Sequence, residues 1–177
     1  VDYIMYCSIK RRVDAAAKYA PAAMVIVLDT YGGTVVDAER IVQTLKNERR
    51  FPVYVYIPEK ALSAGAYISL AASGIVMAKT ARLGDCMPIL PIGTQVPKEY
   101  HEKMRSPLRE AFEALARKNG YPVALAVSMV DPTLEVHKVK LRRGSLTVIQ
   151  YVLADNFDLK KKRWQDEGYE LVEDEIV

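Results

Sequence analysis

Residues 22–30, AAMVIVLDT, form an unbroken apolar run of strand length, and residues 51–57, FPVYVYI, form a second. Between them lies TVVDAERIVQTLKNE, 34–48, with Val36, Ile41, Val42 and Leu45 on one side of a helix. A third run, GIVMAKT at 74–80, follows a second helical segment, AGAYISLAAS at 64–73. Strands that are continuously apolar and rich in Val and Ile predict burial on both faces. Strand–helix–strand–helix–strand in that order predicts a mostly parallel sheet with right-handed β-α-β crossovers, so the chain is an α/β protein.

The flanking segments are less regular. VDYIMYCSI, 1–9, reads as a first strand, and RRVDAAAKYA, 11–20, as a helix stopped near Pro21. Residues 84–97, GDCMPILPIGTQVP, hold three prolines and two glycines and read as a loop. Residues 98–120 read as a helical arm ending at Gly120, with Pro107 marking a kink or the true start. PVALAVSMV, 122–130, suits either a helix or a strand. The basic runs HKVKLRR and LKKKR and the acidic end read as solvated faces. We expect residues 1–130 to be the domain core and 131–177 a charged extension of the same domain. The start at Val1 and the end on EDEIV suggest a truncated fragment of a longer protein.

Composition excludes several classes. The 177 residues are half hydrophobic, enough for a sizeable core, and the net charge of +3 gives no case for nucleic acid. Cys7 and Cys86 make neither a metal spacing nor a disulfide framework, and two histidines, His101 and His137, leave little scope for a histidine metal site. No metal or organic cofactor is expected. The uncharged stretch from Ala61 to Ala78 has membrane-span length, but its Ala, Ser and Gly content and Gly74 favour a buried helix followed by a strand.

Two turns could carry chemistry, and both follow the carboxyl ends of predicted parallel strands, where sites form in open α/β sheets. The first is DTYGG, 29–33, whose paired glycines Gly32 and Gly33 let a ligand approach the main chain. The second is EKALSAGAY, 59–67, which sets Ser63 before a helix N-terminus. A serine attacking a carbonyl creates an oxyanion, and the N–H groups of Gly33 and Ala64 are positioned by sequence to receive it. Serine is equally a favoured helix cap, and this spacing alone does not separate the two roles. A nucleophilic serine also needs a proton acceptor, and no Ser-His-Asp set is visible. Lysine serves instead, with Lys79, Lys98, Lys103 and Lys118 as candidates.

The segments VIVLDTYGGTVVDAERIVQTL and VYVYIPEKALSAGAYISLAASGIVMAKTARLGD together resemble the Clp-protease/crotonase fold. They are most similar to the membrane-associated serine proteases of the NfeD type. In that family a strand ends in an Asp-Thr-Pro-Gly-Gly-like turn, the nucleophile opens a Ser-Ala-Gly helix, and a lysine some forty residues later completes a dyad. The resemblance covers roughly residues 20–130. It implies that Ser63 is the nucleophile, with Ala64 and Gly65 behind it and Gly32 and Gly33 as the glycine pair. EKMRSPLREAFEALARKNGY places the base on Lys103. Tyr31 stands where the family has proline, and no histidine is found around Cys86 to Pro88, where the cytosolic Clp protease carries one. The resemblance implies a serine endopeptidase working through an acyl-enzyme on hydrophobic segments of membrane proteins. It further implies a homo-oligomer, a stomatin-like partner and an extracytoplasmic, membrane-adjacent location.

Two rival readings remain open. ALSAGAY also resembles the Ser-Ala-Gly-Ala-Asp segment of crotonase-like acyl-CoA enzymes, although Tyr67 replaces the aspartate and a second oxyanion segment is missing. A non-catalytic scaffold of the same fold is the other, supported by Tyr31 and Pro107.

Overall fold

The structure, a computed structural model, describes residues 1–87 and 98–177, with side chains beyond the gap from Glu102 onward. The loop expected over 84–97 therefore lies largely outside the described residues. The chain divides into two compact units, Val1–Ile89 and Leu90–Val177.

The first unit opens with a helix, α1 (Tyr3–Ala16), where the sequence suggests a strand. Asp2 accepts a hydrogen bond from the Met5 N–H at 2.8 Å, capping the helix, and Ile9 and Val13, one turn apart, are the residues it buries. The apolar run 1–9 misleads because Tyr3 and Ile4, on the other faces, stay exposed. A 3-10 turn at Ala17–Tyr19 and a left-handed Ala20 end it before Pro21.

Strands β1 (Met24–Val27), β2 (Val53–Ile57) and β4 (Gly74–Met77) form a parallel sheet in the order β1-β2-β4. Val25 faces Tyr54 and Val27 faces Tyr56 across β1 and β2. Two further short strands, β3 (Lys60–Leu62) and β5 (Arg82–Gly84), pair in parallel in a second small sheet, joined by a bridge from Thr30 to Ala61. Helix α2 (Val35–Asn47) connects β1 to β2, and α3 (Ala64–Leu70) connects β3 to β4. The sequence pattern foresees the crossovers but not β3 and β5, whose three residues are too short for a periodic signal.

Burial on both strand faces is corrected. Ile26, Val53, Val55 and Ile57 are buried, but Val25 and Val27 are 60 % and 66 % exposed, and Tyr54 and Tyr56 lie on the same open face. An outward face made of Val and Tyr makes a half-buried strand read as a continuous apolar run. In α2, Ile41, Val42 and Leu45 are buried as expected, whereas Val36 in the first turn is exposed and Ala38 takes the inward position. Thr34 caps this helix and its hydroxyl donates to Asp37 at 2.5 Å.

The second unit contains α4 (Lys98–Asn119), continuous through Pro107, and α5 (Val123–Ser128), which settles 122–130 as helical. Strands β6 (Val136–Arg143), β7 (Leu146–Leu153) and β8 (Glu170–Ile176) form an antiparallel sheet in the order β7-β6-β8, with α6 (Phe157–Asp166) inserted before β8. Val139, Leu141, Val152 and Trp164 form its core cluster. The basic run of β6 and the acidic run of β8 are cross-strand partners. Lys138 meets Glu175 at 2.9 Å, Lys140 meets Glu173 at 2.9 Å and Arg142 meets Glu170 at 2.7 Å.

Candidate active site

The strand β3 delivers the chain to Ser63, whose N–H donates to the Gly84 carbonyl at 2.8 Å and so extends the pairing with β5. Its own carbonyl accepts the Ala66 and Tyr67 N–H groups at 3.0 and 3.2 Å and the Cys86 thiol at 3.5 Å. These bonds hold Ser63 at φ 51° and ψ −119°, a backbone conformation that costs a side-chain-bearing residue about 1–3 kcal/mol. A capping serine sits instead in the extended region with its oxygen on the helix N–H groups. Ser63 makes no such bond. Its half-buried hydroxyl has no partner among the described residues, so capping does not explain it.

The glycine turn lies directly against this serine. Gly32 has φ 118°, and a Cβ built on it would stand 2.7 Å from Ser63 Cβ and 3.2 Å from its Oγ. Only glycine permits that approach. Thr30 fixes the turn by accepting the Gly32 N–H at 3.1 Å. Val1 borders the neighbouring residue: its amino group donates to the Gly32 carbonyl, and its carbonyl accepts the Thr34 N–H at 2.9 Å. The Gly33 N–H takes no part in that pairing and has no partner among the described residues, nor does the Ala64 N–H in the first turn of α3. Gly65 seats α3 on the Thr30 turn, since a Cβ there would lie 2.5 Å from the threonine methyl.

Surrounding contacts hold α3 in place. The Tyr67 hydroxyl donates to the Glu39 carboxylate on α2. Burial first, and Glu39 second, push that phenol's pKa upward. Burial likewise pushes the Cys86 thiol up to about 12, keeping it protonated beside the Ser63 carbonyl. Tyr31, 76 % exposed, covers Lys60, whose Nζ lies 4.3 Å from the ring centroid and 3.2 Å from Asp29. None of these partners carries a sequence signal beyond its residue type.

The structure thus brings Ser63 and Gly32 into contact within the first unit. Lys103 belongs to the second unit, on α4, with an exposed side chain. Lys79, after β4, and Lys118, near the end of α4, are also exposed, while the side chains of Lys98 and His101 lie outside the described residues. His137 is not a solvated histidine: 14 % exposed, it pairs with Asp174 at 2.8 Å and stacks on Phe157 at 4.3 Å. Asp131 is unforeseen; it is buried and paired with two arginines of α4.

Among curated proteins the chain is 31 % identical over 134 residues to the membrane protein NfeD1b of Bacillus subtilis (strain 168), covering 75 % of this chain and 30 % of that protein. It is 31 % identical over 164 residues to the membrane-bound protease PH1510 of Pyrococcus horikoshii, covering 89 % of this chain and 36 % of that protein. The chain therefore spans about a third of the length of these relatives. Among solved structures it is similar to a lysine-to-alanine variant of the 1510-N membrane-bound stomatin-specific protease in complex with a substrate peptide. That match has a TM-score of 0.67 at 24 % identity, over 84 % of this chain and 64 % of the other. A variant of ClpP1 from Listeria monocytogenes matches with a TM-score of 0.54 at 16 % identity, over 71 % of each chain. The fold is that of the Clp proteases. The relatives are named as membrane proteins, and among the described residues no helix is long and apolar enough to cross a membrane. The family model described as NfeD1b, N-terminal domain, matches residues 1–170, and the chain belongs to that family.

Proposed function

We propose that this domain is a serine endopeptidase with a Ser63–Lys103 dyad. The observation that carries the reading is the conformation of Ser63. A strained backbone, a hydroxyl engaged in no bond among the described residues and a glycine turn against its Cβ are what a nucleophile on a sharp strand-to-helix turn requires. One relative supports it: it is named a membrane-bound protease, and its stomatin-specific domain is represented by serine-to-alanine and lysine-to-alanine variants, the latter holding a substrate peptide.

In this reading Lys103 accepts the Ser63 proton as Oγ attacks the scissile carbonyl. The N–H groups of Gly33 and Ala64 receive the oxyanion, with Gly32 and Gly65 permitting the close approach of main chain to substrate. Lys103 then protonates the leaving amine, and water releases the acyl group from Ser63. The chemistry requires no metal or organic cofactor. The substrates we infer are hydrophobic segments of membrane proteins, with a stomatin-like protein as partner. Exposed Tyr31, Val35, Val36 and Met87, on the segments flanking Gly32, Gly33 and Ser63, support an apolar preference. A homo-oligomer acting beside the membrane on its extracytoplasmic side completes the reading.

The test is cleavage of quenched apolar peptides by the wild type, Ser63→Ala and Lys103→Ala. The reading expects wild-type cleavage reduced at least a thousandfold in either variant with the melting temperature retained. Cleavage that survives Ser63→Ala, or saturable acyl-CoA binding without cleavage, contradicts it.

A further inference from the structure

Helix α4 carries a weakness at one turn. Pro107 has no N–H, so the intrahelical bond it cannot make is the one to the carbonyl four residues earlier, that of Lys103. Arg105 and Arg109 stand on either side of the proline, one turn apart and on one face. Both converge on Asp131, which follows α5 and is 3 % exposed. Arg105 Nη1 donates to Asp131 Oδ1 at 2.9 Å, and Arg109 Nη1 donates to Oδ2 at 2.6 Å. Thr133 completes the set, its hydroxyl donating to Oδ1 at 2.7 Å and its N–H at 3.2 Å. The second nitrogen of Arg109 reaches back to Glu102 at 2.6 Å. Glu102 and Arg105, the residues bracketing Lys103 and Met104, are therefore tied to one buried carboxylate. Burial works to raise the Asp131 pKa, but the Thr133 hydroxyl and N–H, followed by Arg105 and Arg109, outweigh it and hold the carboxyl below its ordinary value. The group is an anion at neutral pH, with one partner on each half of a proline-interrupted helix.

We propose that Asp131 is a positioning residue: it staples the two halves of α4 across Pro107 and thereby fixes the turn that bears Lys103. The inference rests on the reading of Lys103 as the base. It explains why a helix carrying a proline remains continuous, and why a buried carboxylate is paired with two of that helix's arginines.

The experiment measures the rate of Ser63 labelling by a fluorophosphonate probe and amide hydrogen exchange over 102–109. The proteins are wild type, Lys103→Ala, Asp131→Asn, Pro107→Ala and the double variant Asp131→Asn/Pro107→Ala. Asp131→Asn is expected to slow labelling at least tenfold and to speed exchange over 102–109, leaving exchange in β6 unchanged. The double variant is expected to recover to within threefold of wild type, because an N–H at 107 lets the helix close its own bond to the Lys103 carbonyl. A merely structural loss at Asp131 would not be rescued there. Should Asp131→Asn fail to fold, Arg105→Gln and Arg109→Gln each remove one arm, and each is expected to slow labelling at least threefold. Wild-type labelling in Asp131→Asn, or a double variant no faster than Asp131→Asn, overturns the proposal while leaving the dyad standing. Undiminished labelling in Lys103→Ala overturns the dyad, and the role of Asp131 with it.

Discussion

At Ser63, helix-capping chemistry and nucleophile chemistry make opposite demands on the backbone. A cap contributes through its side chain, so replacing it by alanine costs about 0.5–2 kcal/mol. Ser63 makes no capping bond and holds a conformation that glycine adopts freely. Urea denaturation should therefore find Ser63→Ala within about 0.5 kcal/mol of wild type and Ser63→Gly more stable by about 1 kcal/mol. Destabilisation of Ser63→Ala by about 1 kcal/mol or more, with Ser63→Gly costing only a few tenths, would restore the cap. Cys86 offers a pH prediction. Its folded pKa of about 12 lies above the unfolded thiol value of about 8.5, so its contribution is full below about pH 8.5 and falls as pH rises toward 12. Urea midpoints from pH 7 to 10 should decline more steeply in wild type than in Cys86→Ala. In the native protein at pH 8, a thiol reagent should modify exposed Cys7 and spare Cys86 until unfolding.

Among the elements, the β6–β8 ladder shows what a charge run becomes once a partner strand is present. Lys140 and Glu173 face each other at 2.9 Å on an exposed face, where such pairs contribute about 0.2–1 kcal/mol. Lys140→Glu should lower stability by about that amount, adding Glu173→Lys should restore it, and high salt should shrink the difference. Equal stability of the single and double variants in low salt would contradict the pairing. The same ladder explains a limit of the sequence reading. The runs 136–143 and 170–176 are separated by a hairpin strand and a helix, and nothing local in either one names the other as its partner. The crossovers around β1, β2 and β4 were legible because α2 declares its buried face over three turns. Helix α1 was not, because its buried pair is Ile9 and Val13 and the cap at Asp2 sits inside an apolar run. For the same reason Gly32, Gly33 and Ser63 were readable as turn residues, while the strain at Ser63 depends on β5 and Cys86, some twenty residues on. Asp131 was unreadable because its partners lie 22 and 26 residues earlier on another helix.

On the scale of the whole molecule, the chain is a Clp-fold domain of the NfeD1b N-terminal family in two compact units. The first holds the strained Ser63 and the glycine turn, and the second holds α4, on which Lys103 and Pro107 lie. In the proposed function Ser63 is a nucleophile activated by Lys103. Substrate choice does not enter a reaction with a fluorophosphonate, so the most direct measurement is mass mapping of the adduct on wild type and Lys103→Ala. One phosphonylated residue is expected in the wild type, Ser63, and its loss in the folded Lys103→Ala variant. A folded wild type that takes up no probe, or carries it elsewhere, would contradict the claim.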